Sequence, residues 1–153
     1  MTKRTEDYWR AFLASDSDVA ANVPFQVWYF GNTEEMAREL GDLVLAGKKT
    51  ATASLRDTND LQPEKAPIDG GYSLVTNFVG EPICVIQTAE IRHMPFHEVD
   101  AQFAFDEGED DQTLESWRRV HTEYFTSEAA ELGFSFDENS IVCCERFRLL
   151  FPK

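Results

Sequence analysis

A lysine and a threonine three positions apart, Lys49 and Thr52, are the side chains in this sequence best placed to carry out a reaction. They follow Gly47, where a predicted helix ends and a predicted strand begins. A lysine partly removed from water at such a junction can have a lowered pKa and act as a base. A threonine hydroxyl within reach of that base becomes a usable nucleophile. The structural alternative is a lysine that complements the helix dipole, followed by threonines that favour a strand.

The spacing of this pair sets a geometric condition. Strict alternation along a strand would place Lys49 and Thr52 on opposite faces. They can share a site only if Lys49 precedes the regular strand, or if a bulge redirects one side chain. Because Lys49 follows Gly47 closely, we expect the first arrangement.

Carboxylates provide two further candidates. Glu145 stands in an otherwise apolar row of the last predicted strand, and burying a carboxylate is costly unless it is paired. It should therefore line a cavity or meet a cation, an arginine ion pair being the structural alternative. The acidic stretch 106–111, which contains Glu107 and Glu109, could cap the next helix, bind a hard cation or turn one carboxylate inward as an acid or orienting group. Its spacing fits no EF-hand loop.

Familiar cofactor motifs are absent from the sequence. There is no zinc-binding, P-loop or serine-hydrolase pattern. The three histidines do not cluster in sequence, and the three cysteines form no C-x-x-C pair: His93, His97, His121, Cys84, Cys143 and Cys144. We therefore predict no metal, no other cofactor and no disulfide framework, with the cysteines as small buried side chains.

The charge of the chain limits the class of partner. The 28 acidic and 14 basic residues give a formal net charge of −14. A protein that holds a nucleic-acid backbone usually presents a basic face, so tight, non-specific binding of RNA or DNA is disfavoured, whereas a small substrate in a pocket is not. Because no apolar run could span a membrane and the N-terminus does not read as a secretory signal, we expect a cytoplasmic protein without a membrane partner.

Periodicity and turn residues predict one folded domain over 25–153, preceded by a helical extension over 1–24. A first helix is predicted over 6–14, and a second runs from an N-cap at Asn32 to Gly47. A third is predicted over about 113–132, with Asp110 or Asp111 as its cap. A short helical turn is predicted within 96–105. Strands are predicted over 25–30, 49–55, 71–76, 83–91 and 141–151, with a loop over 57–70. Because the strands lie on hairpins rather than βαβ crossovers, we expect an α+β fold with a mainly antiparallel sheet or small β-barrel.

Several blocks of the sequence, taken in order, resemble the ASCH-domain family. The first is FGNTEEMARELGDLVLAGKKTATASL, which has the family pattern of an amphipathic helix, G-[KR]-K-T and a second threonine. GYSLVTN, PICVIQTAEI, PFHEVDAQFAFDEGEDD, TLESWRRVH and VCCERF follow, so the resemblance covers roughly residues 25–151. It implies a small, mainly antiparallel β-barrel like the PUA fold, flanked by helices.

The resemblance also implies activities. Some members resemble amidohydrolases that remove the acyl group from N4-acetylcytidine with a lysine, a threonine and a glutamate; another type is described as a single-strand ribonuclease. Carried over by motif, the lysine and threonine are Lys49 and Thr52. The glutamate falls on Glu109, or on Asp110 in an ungapped match. Where the smallest members continue with isoleucine and arginine, this chain has Ser54–Leu55–Arg56, which leaves the specificity of the pocket open.

These observations predict a hydrolase of modified cytidine nucleosides, with Lys49 as base, Thr52 as nucleophile and Glu109 as acid or orienting group. Glu145 or Arg146 would shape the pocket. The first alternative is a single-stranded RNA-binding protein or ribonuclease; the second is a module that binds a nucleotide-like ligand without turnover. If the protein binds RNA, we expect these basic side chains to contact it: Lys48, Lys49, Arg56, Arg118 and Arg119.

Overall fold

A computed structural model describes all 153 residues of the chain. The helices are α1 (Lys3–Ser15), α2 (Glu34–Leu45), α3 (Arg56–Leu61), α4 (Ala101–Glu107) and α5 (Leu114–Leu132). The strands are β1 (Phe25–Trp28), β2 (Ala51–Leu55), β3 (Tyr72–Thr76), β4 (Pro82–Pro95) and β5 (Ile141–Phe151). Two 3₁₀ turns cover Pro63–Lys65 and Phe96–Glu98. No helix combines the length and the apolar composition needed to cross a membrane.

The five strands form one mixed sheet in the order β1–β3–β4–β5–β2. Only β1 and β3 are parallel, and the other three neighbouring pairs are antiparallel. The predicted α+β class is therefore confirmed. The predicted barrel is not, because the two short edge strands, β1 and β2, lie at opposite sides of the sheet and do not pair with each other.

Helices cover both faces of the sheet. Phe103 of α4 and Trp117 of α5 pack with Cys144 of β5 in the largest apolar cluster. Val44 of α2 packs with Phe147 of β5 in a second cluster. Cys144 and Phe147 are an odd number of residues apart, so the two clusters lie on opposite faces. Ala51 and Leu55 of edge strand β2 belong to the first cluster, and the candidate site forms at this edge.

Several predicted boundaries hold and others need correction. The N-cap of α2 is Thr33 rather than Asn32, because the Thr33 hydroxyl accepts from the Met36 N–H. Thr113 caps α5 in the same way, in place of Asp110 or Asp111. The region predicted as a loop over 57–70 contains most of α3. Tertiary contacts stabilise this helix: the Thr58 hydroxyl donates to Glu128 at 2.5 Å.

Candidate functional site

Lys49 lies in the turn between α2 and β2. Gly47 ends the α2 region with a positive φ of 76°, a conformation that glycine adopts without steric cost. The backbone N–H groups of Lys48 and Lys49 then both donate to the Leu43 carbonyl, at 3.0 and 3.1 Å. Because β2 begins only at Ala51, Lys49 is not bound by the alternation of the strand, and both Lys49 and Thr52 line one pocket.

The acidic segment after α4 packs directly against this turn. The Thr50 N–H donates to the Asp106 carbonyl at 2.8 Å. Gly108 has a φ of 73°, and a Cβ atom there would lie 2.4 Å from the Lys48 carbonyl oxygen. Only glycine therefore allows the two backbones to approach this closely. The approach brings the side chains of Glu107 and Glu109 to Lys49.

The Lys49 ammonium lies between these two carboxylates. Its Nζ is 2.8 Å from Glu109 Oε2 and 3.4 Å from Glu107 Oε1, and the side chain is only 1% exposed. Burial alone lowers the pKa of Lys49, but charge attraction and hydrogen bonds to Glu107 and Glu109 outweigh it, so the pKa is raised. This corrects the expected direction: in this arrangement Lys49 is a cation, not a free base.

Glu107 connects Lys49 to a second basic side chain. Glu107 is fully buried, and its Oε2 lies 3.0 Å from His121 Nε2 and accepts a hydrogen bond from the Trp117 indole N–H. Burial alone would raise the pKa of Glu107, but the charges of Lys49 and His121 lower it by more. The net shift of the pKa is downward. Glu109, Lys49, Glu107 and His121 thus form a row of alternating charge, which we call the charged row.

Hydrogen-bond geometry fixes the protonation of His121. Its Nδ1 lies 2.9 Å from the Trp117 carbonyl oxygen, which can only accept, so Nδ1 carries a hydrogen. Its Nε2 faces the ionised Glu107 carboxylate and must donate as well. The ring is therefore an imidazolium. Although burial lowers the pKa of His121, Glu107 more than offsets this and the pKa is raised.

The pocket beside the charged row is partly open, and its empty space is about 430 Å³ when the solvent at its mouth is included. Lys49, Thr52, Glu107, Glu109 and His121 form its polar side. Its apolar walls come from Phe30, Met36, Leu40 and Val120. A few polar groups among apolar walls are typical of small-molecule sites.

Glu145 lies next to Thr52 on the neighbouring strand. The two residues are register partners in the antiparallel pair β2–β5, so their side chains share a face of the sheet. Glu145 is 6% exposed and accepts from the Thr88 hydroxyl at 2.6 Å. No cation lies within ion-pair distance of it, so the predicted arginine ion pair is absent, and burial raises the pKa of Glu145.

The other predicted binding residues lie elsewhere. Arg146 points to the opposite face of β5, where it pairs with Asp106. Arg118 donates to the His97 and Val99 carbonyls, and Arg119 pairs with Asp110. Neither of the exposed side chains Lys48 and Arg56 is among the residues that line the pocket.

The structure places the side chains of Glu109 and Asp110 on different sides of the chain. Glu109 reaches Lys49, whereas Asp110 turns outward to Ser116 and Arg119. The backbone at Asp110 has a positive φ of 51°, which reverses the chain between the two side chains. Of the two carboxylates, only Glu109 lines the pocket.

Glu107, Glu109 and His121 also form a set of potential metal ligands, with donor atoms all within 4.8 Å of one another. The Lys49 ammonium already contacts both carboxylates of this set. A metal ion among them would face the charges of Lys49 and of the His121 imidazolium. The donor set is thus already balanced by two cations of the chain.

Sequence reasoning did not find the role of His121 or of Trp117. The sequence predicts that His121 shares the long helix with Trp117 and two arginines, and that Glu107 belongs to an acidic cluster, but it does not pair His121 with Glu107. The spacing of Trp117 and His121 by one helical turn was the available signal, because it places both on one face of α5. Their rings stack at 4.2 Å.

The family model of the ASCH domain matches residues 26–150 of the chain. The chain belongs to the ASCH family. The crystal structure of an ASCH domain from Lactobacillus crispatus JV V101 is similar, with a TM-score of 0.89 and 31% identity over 98% of this chain and 96% of that one. A protein from Enterococcus faecalis V583 is also similar, with a TM-score of 0.86 and 32% identity over 97% of this chain and 89% of that one. A comparison with curated proteins gave no match.

Family membership confirms the resemblance drawn from the sequence blocks. In the candidate site, Glu107 and His121 lie beside the lysine, threonine and glutamate that the resemblance led us to expect.

Proposed function

We propose that this ASCH protein hydrolyses N4-acylated cytidine nucleosides at the pocket beside β2. The observation that carries the proposal is the convergence of Lys49, Thr52 and Glu109 on one small pocket. A hydroxyl nucleophile beside a buried ammonium is suited to acyl transfer, because the ammonium can stabilise the oxyanion that forms on attack.

The reaction divides into two acyl transfers. Thr52 Oγ1 attacks the acyl carbonyl carbon, a carbon–oxygen bond forms, and the carbonyl oxygen takes the negative charge beside Lys49. The carbon–nitrogen bond then breaks, N4 takes up a proton, and cytidine leaves. Water attacks the acyl-threonine ester, which releases the carboxylic acid and restores the hydroxyl.

The pairing of Lys49 changes the roles expected from the sequence. A charged Lys49 serves as the electrostatic partner of the oxyanion rather than as the base. Glu109 and Glu107 orient the ammonium from two sides, at 2.8 and 3.4 Å. In this scheme the proton of Thr52 passes to a group other than Lys49.

The apolar walls of the pocket and the net charge of the protein favour a nucleoside substrate over a polymer. The apolar walls of the pocket suit a planar base or an acyl chain. The net charge of −14 repels a polyanion, whereas an uncharged nucleoside is unaffected.

The test is release of cytidine from N4-acetylcytidine and from larger N4-acyl cytidines by the purified protein. We expect Thr52→Ala to lower kcat by about 100-fold or more, because the variant has no nucleophile. Thr52→Ser should retain part of the activity because it keeps the hydroxyl. Lys48→Ala is the matched control for Lys49→Ala, since Lys48 is the exposed neighbour. Absence of turnover across the panel would overturn the proposal.

A second candidate, binding of single-stranded RNA, has one observation in its favour. Tyr29 and Phe78 are 41% and 40% exposed and form an edge-to-face pair at 5.2 Å, and exposed aromatic rings can stack on bases. Against it, Arg118, Arg119 and Arg146 already have partners within the chain. RNA binding would weaken steeply with salt, and a flat titration at low salt would exclude it.

A further inference from the structure

We propose that Glu145 is a further catalytic residue of the site: it accepts the proton of Thr52 and passes it to the leaving nitrogen. The inference rests on the proposed function and names the base that function requires. The base must be a proton acceptor beside Thr52 that is not already held by a cation. Glu145 meets this condition, whereas Lys49, Glu107 and Glu109 are bound to one another.

The position of Glu145 follows from strand register. Thr52 and Glu145 are directly opposite each other in the β2–β5 pair. Cβ atoms of such partners lie about 4.5–5.5 Å apart on the same face of the sheet, so a glutamate side chain spans the gap. The neighbouring residues Cys144 and Arg146 point to the other face. Glu145, the one carboxylate of β5, is therefore directed to the Thr52 side, although Thr52 and not Glu145 is among the residues that line the pocket.

The surroundings of Glu145 leave its carboxyl free to exchange a proton. The Thr88 hydroxyl donates to Oε2, and no protein group donates to Oε1. Glu145 is 6% exposed. Every fully buried polar side-chain atom of the protein has a hydrogen-bond partner. Because Oε1 has none, it is not fully buried and is accessible to solvent.

Few titratable groups influence this carboxyl. The Lys49 charge and the Thr88 hydrogen bond lower the pKa of Glu145, but burial raises it by more. The nearby Cys143 thiol is neutral, since burial raises its pKa to about 11. A carboxylate whose pKa is shifted upward toward neutrality is a better general base than one in water.

The proton balance is complete with these groups alone. When Thr52 Oγ1 bonds to the acyl carbon, its proton moves to Glu145. When the carbon–nitrogen bond breaks, the proton moves from Glu145 to N4, so cytidine leaves as a neutral amine. In deacylation, water gives one proton to Glu145 as its oxygen bonds to the acyl carbon. That proton returns to Thr52 Oγ1 when the ester bond breaks.

The experiment compares Glu145→Gln, Glu145→Asp and Thr88→Val with the wild type in cytidine release from N4-acetylcytidine. Glutamine still accepts from Thr88 but cannot take up a proton, so we expect kcat to fall at least about 100-fold with KM nearly unchanged. Aspartate keeps the acid and should restore part of kcat. A role limited to holding Thr88 would give the reverse order, with Glu145→Gln more active than Glu145→Asp.

Thr88→Val provides a readout that does not require changing Glu145. Loss of the donated hydrogen bond should raise the pKa of Glu145 further, so the acid limb of the kcat profile should move to higher pH. An unmoved limb, or a Glu145→Gln variant within about threefold of wild type, would overturn the inference while leaving Thr52 as nucleophile. If instead the wild type releases no cytidine, the proposed function itself fails and the inference fails with it.

Discussion

Two buried carboxylates lie close to the Lys49–Thr52 segment, and they differ in whether cations contact them. Glu107 sits in the charged row, with Lys49 on one side and His121 on the other. Glu145 lies across from Thr52 with one hydroxyl donor and no cation in contact. Burial raises the pKa of both side chains, but only Glu107 has partners strong enough to reverse the shift.

The difference shows how one edge of a sheet can supply two kinds of carboxylate. A carboxylate between two cations is fixed in charge and position, so it serves to hold Lys49. A carboxylate buried without a cation can change its protonation at modest cost, so it suits proton transfer. The identity of the residue is the same in both cases, and its partners set the role.

The largest expected effect is a difference in stability between variants of these two residues. Glu107→Gln leaves Lys49 and His121 without the charge between them, and should lower the free energy of unfolding by about 4 kcal/mol near neutral pH. Glu145→Gln removes a carboxylate whose charged form is disfavoured by burial, and should leave stability equal or higher. Urea unfolding of both variants measures the difference.

The pH dependence of this pair of variants has a definite sign. The folded-state pKa of Glu107 is below its usual 4.5, so its contribution is present above that value and is lost as the pH falls through the folded-state pKa. The folded-state pKa of Glu145 is raised, so its contribution is present below 4.5 and is lost as the pH rises through the folded-state pKa. The two variants should therefore converge on acidification. Equal destabilisation at neutral pH would contradict the comparison.

The next effect tests the backbone that carries Glu107 and Glu109. Gly108→Ala should cost about 3 kcal/mol, because it adds a positive-φ penalty and a clash with the Lys48 carbonyl. Gly133→Ala is a matched control, since Gly133 also has a positive φ but open space around it, and should cost about 1 kcal/mol. Thermal unfolding ranks the two. A Gly108 variant no worse than the control would mean that close approach of the two backbones is not required.

The smallest effect concerns the far end of the charged row. His121→Gln should cost about 1.5 kcal/mol near pH 6, the range for a hydrogen bond to a charged group. Because the pKa of His121 is raised, its contribution is complete below 6.5 and declines as the pH rises through the folded-state pKa. The variant should therefore differ less from wild type near pH 9 than near pH 6. A cost independent of pH would show that His121 is neutral in the folded protein.

Much of the fold was predictable because local signals agreed with the final structure. The last strand was predicted over the same residues, 141–151, that form β5, and Gly47 and Gly133 end their helices as expected. The small barrel was not confirmed, because closure of a barrel depends on pairing between distant edge strands, which hydrophobic periodicity does not reveal. Helix α3 was missed because it has no capping side chain and depends on contacts such as Thr58 with Glu128.

The site was predictable in its residue types but not in its electrostatics. The motif placed Lys49 and Thr52 together in sequence, and the pocket contains both. The direction of the Lys49 pKa was wrong because the two carboxylates that decide it come from a segment about sixty residues away, brought close by Gly108. His121 could not be assigned because its partner, Glu107, lies on another element.

The long separations within the site also bear on the order of folding. Lys49 meets Glu107 across 58 residues of chain, and Thr88 meets Glu145 across 57. Contacts at such distances form only after the loop-closure entropy of the intervening chain has been overcome, unlike a helix such as α2 or the β3–β4 hairpin. The pocket therefore has no local precursor. During refolding, we expect the pocket to form with the last long-range contacts rather than with the first secondary structure.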